Sequence, residues 1–192
     1  PSYAEAGAGT GAERLATFVC EELTENPGSV GGAATSDPRT NRREALLRVH
    51  PSVVGELLAV RRALIDAAPD ACAALWMGTD GAAEWRGLAG LPNDEARRFA
   101  HTVAALGAGA RGTAAPVTTV DAAVNRFDEF LEELATGEGG VAIGASEEAP
   151  DDPTLACAAH RALLAAVEAL APRERGEVAR AWFIAEVADP VE

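Results

Sequence analysis

Three histidines, His50, His101 and His160, are the natural starting point for acid–base or metal chemistry. Each falls on a different predicted helix, so only a tertiary fold would bring them to one metal. No H-x-x-x-H or E-x-x-H spacing supports such a site. Cys157 and His160, at i and i+3, share a helix face, the arrangement of a thiolate–imidazole pair; a buried cysteine one turn from a histidine is the plainer reading. The denser concentration is aromatic. Trp76 and Trp85 flank a glycine-rich break that also supplies Arg86, and Phe99 and His101 follow on the next predicted helix. Aromatics beside an arginine suit an organic ligand bearing a carboxylate or phosphate. The expected ligand-binding set is therefore Trp76, Trp85, Arg86 and Phe99, with His101 as catalytic acid or base. This describes a small-molecule-binding helical protein, in its catalytic form a small biosynthetic enzyme.

Other patterns carry less. Asn125, Glu129 and Glu133 recur every four residues and line up along one helix face. Over that one helix the spacing is similar to the Asn/Ser/Glu magnesium motif of terpene cyclases, which implies oxygen ligands for Mg²⁺. Glu129 stands where that motif has Ser or Thr, and no aspartate-rich partner accompanies it. With Asp128 and Glu132, the row reads as the solvated face opposite an apolar stripe. Gly107-Ala108-Gly109-Ala110-Arg111-Gly112 matches G-x-G-x-x-G as text, but a helix and not a strand precedes it, so it reads as a linker. No G-x-S-x-G elbow occurs. Neither a metal nor a cofactor is expected.

Composition narrows the class. Of 192 residues, 48% are apolar, but 44 are alanine, so helices must pack closely to fill a core. The formal charge is −14, and all sixteen basic residues are arginine. A surface this acidic repels nucleic-acid phosphates and anionic membranes, so neither is an expected partner. Arg42/Arg43, Arg61/Arg62 and Arg97/Arg98 each lie beside an acid, Glu44, Asp66 and Glu95, and read as solvated helix faces. Three widely spaced cysteines without a C-x-x-C pair suggest free thiols in a reducing compartment, hence a cytoplasmic protein.

The elements that must position these groups are all helical. Thr10 with Glu13 and Asn41 with Glu44 read as capping boxes, while residues 1–10 read as a frayed terminus and Gly28–Thr40 as a long loop. Proline at position 51 breaks the chain after His50, and Ser52 caps a helix whose face of Val53, Val54, Leu57, Leu58, Val60, Leu64 and Ile65 is wide enough for a central position. A short helix from Ala71 to Trp76, a loop or broken helix over Gly78–Pro92 and a helix from Asn93 ending at Gly107 follow. Thr118 and Asp121 introduce the cleanest amphipathic stripe, Val120, Val124, Phe127, Leu131 and Leu134. Gly137–Pro150 reads as loop. Asp152 and Pro153 open the next helix and Pro172 the last.

The expected architecture is a single all-α domain, an irregular bundle of about six to eight helices. An alternative function keeps the same fold without chemistry: an interaction or regulatory module working through helix faces. Its sticky surface, for example for a homodimer, would be the C-terminal helix bearing Trp182, Phe183, Ile184 and Val187.

Overall fold

The computed structural model describes residues 10–25, 38–67, 72–73, 81–111, 115–149 and 151–187. Nine helices are found among them and no strand: α1 (Thr10–Glu25), α2 (Pro38–Arg48), α3 (Pro51–Ala67), α4 (Gly81–Gly90), α5 (Asn93–Arg111), α6 (Val120–Ala135), α7 (Glu138–Glu148), α8 (Pro153–Ala169) and α9 (Pro172–Ala185). The protein is all-α, its helices packed on one another.

Proline sets where many of these helices begin. Four of them, α2, α3, α8 and α9, start at a proline, whose fixed φ suits the first turn and whose missing N–H would have had no intrahelical acceptor there. At α8 this coincides with a side-chain cap, Asp152 accepting from Thr154 N at 2.8 Å and Leu155 N at 3.3 Å. At two starts it displaces the expected cap. Helix α2 opens at Pro38, so Asn41 lies inside it and Pro38–Thr40 belong to helix and not to the expected loop. At α3 the imidazole of His50, not Ser52, meets the first turn: Ser52 N donates to its Nδ1 at 3.3 Å, and Ser52 Oγ lies 2.9 Å from the same atom. One residue separates expectation from structure at α6, where Thr119 Oγ1 accepts from Ala122 N at 3.2 Å.

Two stretches read as irregular are helical. Gly81–Gly90 forms α4, and Glu138–Glu148, expected to be loop, forms α7. Helix α7 lacks an apolar stripe and is made by its packing on α6 and α8, which no local pattern reports. Gly140 allows that packing, since a methyl group there would overlap the backbone of Ala135. Nor do the glycines end α5, which continues to Arg111; a methyl at Gly109 would overlap the side chain of Val49, so glycine lets α5 close on the end of α2. The frayed-terminus expectation, the rest of the Gly28 loop and most of the Ala71–Trp76 helix lie outside the described residues.

Helix α3 joins two cores, as its wide apolar face predicts. One of its faces puts Val54, Leu58 and Ile65 into the larger core, with α2, α6, α8 and α9. The opposite face puts Val60 and Leu64 with Leu15 and Phe18 of α1, Leu88 of α4, Leu91 and Ala96 and Ala100 of α5. Trp182, Phe183, Ile184 and Val187 are buried in the larger core. The surface expected to mediate self-association is therefore occupied within the chain itself.

Arginines close the helix ends. A helix leaves its last carbonyls without partners. Arg14 of α1 donates to Ala89 O at 3.2 Å, in the last turn of α4, and to Leu91 O at 2.6 Å, just beyond it. Arg180 of α9 donates to Leu46 O and to Val49 O at 2.8 Å, at the end of α2. Arg175 takes Leu170 O at 3.0 Å after α8, and Arg161 takes Ile65 O at 3.4 Å in α3. Substituting Arg14→Met should lower stability by about 2 kcal/mol, the order expected for hydrogen bonds from a charged donor, read from the urea midpoint.

The cysteine expectation is corrected here. Cys72 and Cys157 form a disulfide between residues 85 apart in sequence, leaving Cys20 exposed with a free thiol. The cysteine argument for a reducing compartment therefore fails, since disulfides persist mainly where conditions are oxidising. No described helix is long and apolar enough to cross a membrane. Closing so long a loop is worth about 4 kcal/mol in chain entropy. Cys157→Ser should lose that order of stability in denaturant unfolding, and unfolded, unreduced wild-type protein should titrate one thiol where the variant titrates two.

Candidate functional site

The residues singled out by type and spacing are not gathered around a single cleft. Trp76 lies outside the described residues, as does the side chain of Trp85 on α4; Arg86 on α4 is exposed. Phe99 and His101, two positions apart on α5, point to different sides. Phe99 packs against the smaller core. His101 is 64% exposed, its Nδ1 3.3 Å from Glu22 Oε2 of α1. The three histidines stay apart, on α5, on α8 and at the junction of α2 and α3, and no group of metal-ligating side chains forms among the described residues. Asn125, Glu129 and Glu133 are exposed along α6, a solvated face as the sequence suggests.

Cys157 and His160 are close but do no nucleophilic chemistry, because the sulfur is held in the disulfide. His160 is fully buried. Its Nδ1 lies 3.1 Å from Cys72 O and its Nε2 3.3 Å from Arg61 Nη1. A carbonyl can only accept and a guanidinium only donate, so the ring is neutral with its proton on Nδ1. Burial first, and the Arg61 charge second, push its pKa down to about 4. Arg61 is itself buried: it grips Glu186 with two hydrogen bonds, the Nη2–Oε2 one at 2.7 Å, and lies 4.8 Å from the Trp182 ring centroid and 5.0 Å from that of Phe183. The solvated-face reading is thus overturned for Arg61. Its neighbour Arg62 turns to Glu168 of α8 instead of Asp66. In contrast, Arg98 does pair with Glu95, at 2.7 Å.

A groove of about 500 Å³ opens on another side, where α3, α6 and α9 begin. Pro51 and Pro172 begin α3 and α9, and Thr118 lies just before α6, so the positive ends of three helix dipoles lie beside this space. Its floor is made of buried side chains, Ala123, Ala181 and Arg180; Ala122 forms an exposed wall and Val117, 63% exposed, lies on the rim. Two rim arginines are matched by carboxylates. Arg126 lies 3.1 Å from Glu174 and 4.0 Å from Glu129, and Arg173 lies 3.0 Å from Glu177.

Arg180 is different. It is 5% exposed, makes the two carbonyl contacts at the end of α2, and among the described residues no carboxylate pairs with it. Burial pulls its pKa below the ordinary arginine value. A guanidinium nonetheless stays charged in a protein. Sequence reasoning passed over this residue, although a signal was there: Arg180 stands alone inside the apolar run Val178–Ile184. An arginine in such a run must find acceptors inside the fold.

Because the folded-state pKa of His160 lies below its unfolded value near 6.5, unfolding takes up a proton in the interval between them. The stability its neutral form contributes is complete above pH 6.5 and is lost as pH falls toward 4. A shift of this size corresponds to on the order of 3 kcal/mol. The stability advantage of wild type over His160→Gln should shrink by that order between pH 6.5 and 4 in denaturant unfolding, while the imidazole stays neutral to about pH 4 by NMR titration.

Comparison of the chain with protein families, with curated proteins and with solved structures found no match, so the reading of this site rests on its geometry.

Proposed function

We propose that the protein binds a small organic molecule in the groove where α3, α6 and α9 begin. The observation that carries this reading is the groove's construction: about 500 Å³ with an apolar floor of Ala123 and Ala181 and one buried charge. That volume is within the range of small-molecule sites, which are mostly apolar with a few placed polar groups. The ligand class expected from the sequence is kept, but its place moves from the Trp76, Trp85, Arg86 and Phe99 region to this groove.

Binding, not turnover, is the role proposed. Among the described residues neither histidine nor cysteine lines the groove, and Glu177, the one carboxylate among them, is engaged by Arg173. His101, the expected acid or base, sits exposed on α5 beside Glu22.

Ala122 is exposed on α6, so a tryptophan there fills the groove without disturbing the core. In a ligand-observed NMR screen of a fragment library, fragments that bind wild type should no longer bind Ala122→Trp. Fragments that bind the two proteins equally would place the site elsewhere and overturn the proposal.

A further inference from the structure

We infer that the ligand of this groove is a small organic acid with a single carboxylate, held against Arg180 with its apolar body over Ala122, Ala123 and Ala181. This rests on the groove being the binding site, and it adds the charge and chemical class of what binds.

Among the described residues, four ionised side chains line the groove: Arg126, Arg173, Arg180 and Glu177. Arg126 is matched by Glu174 and Glu129, and Arg173 by Glu177. Arg180 is left as the one cation without a carboxylate, and it is the one that is buried. A buried charge lacking a counter-ion is among the costliest things a fold can hold. The carbonyls of Leu46 and Val49 offset part of that cost, being the negative end of α2. They engage two of the five N–H groups of the guanidinium and leave three. A carboxylate is the group whose planar pair of oxygens fits those that remain.

The surroundings select for one negative charge and no more. Residues at or next to three helix starts, Pro51, Thr118 and Pro172, line the groove, and a single anion is favoured near such ends. Glu177 on the rim and a net charge of −14 oppose a second one, which disfavours phosphate esters and dicarboxylates. The alanine side chains of the floor offer no hydrogen-bonding group, so the part of the ligand that lies over them is apolar.

The test compares monocarboxylates with their own primary amides, which keep the shape and lose the charge. Hexanoate and 4-methylbenzoate, against hexanamide and 4-methylbenzamide, are titrated into wild type, Ala122→Trp and Arg180→Met, each binding followed by ¹⁵N–¹H NMR shifts. The expected result is that each acid binds wild type at least tenfold more tightly than its amide, and that Ala122→Trp binds neither. In Arg180→Met, if it folds without its contacts to α2, the ratio should fall below twofold; if it does not fold, the wild-type comparison decides alone. Acids and amides binding equally, both lost in Ala122→Trp, would overturn the charge inference and leave the groove as the site. Binding by none of the four, or binding that survives Ala122→Trp, would overturn both.

Discussion

The last carbonyls of every helix need hydrogen-bond donors from outside the helix, and in this chain arginines reaching across from neighbouring helices supply many of them. Basic residues are missing from the last turns of α1, α3, α4, α6, α7, α8 and α9, so those helices provide no cationic side chain of their own at their C-terminal ends. The guanidinium fork reaches two carbonyls at once, as Arg14 and Arg180 both do. A lysine, with one ammonium, would not hold two carbonyls in the same fixed plane. These contacts tie α1 to the end of α4 and α9 to the end of α2.

Bulk is scarce. With 44 alanines, the helices come close enough to fill space, and glycines at 109 and 140 remove the last methyl groups from the tightest approaches. The larger side chains are concentrated where α9 crosses the interior. Trp182 stacks with Phe183 and Phe127, His160 meets its edge, and Arg61 lies over its face. Buried ion pairs add little net stability against an apolar replacement, but removing one partner strands the other. Arg61 and Glu186 thus tie α3 to the end of α9 in one arrangement.

Helix α9 links this interior to the groove. Arg180, Trp182 and Phe183 lie within one turn, the first in the groove floor and the other two in the core. The Arg180 contacts to α2 and the aromatic packing both hold α9 in place beside the groove. The exposed acidic side of α6 and the His101 side of α5 are built differently: their polar groups stand in solvent, where an ion pair such as His101 with Glu22 contributes little.

What the sequence determined by itself was local. The all-α class, the amphipathic stripe of α6, the break at His50-Pro51, the cap at Asp152 and the central place of α3 follow from periodicity and from residues within a turn of each other. The helical state of Glu138–Glu148, the disulfide, the burial of Arg61 and the floor of the groove were decided by tertiary structure. Each depends on partners distant in the chain: Cys72 with Cys157, Arg61 with Glu186, Arg180 with Leu46 and Val49. Arg61 and Arg98 each belong to an arginine pair with an acid nearby on the same helix, and only the first is buried. Spacing along a helix reports which face a side chain occupies, whereas the helix that covers that face is chosen by packing over the whole chain.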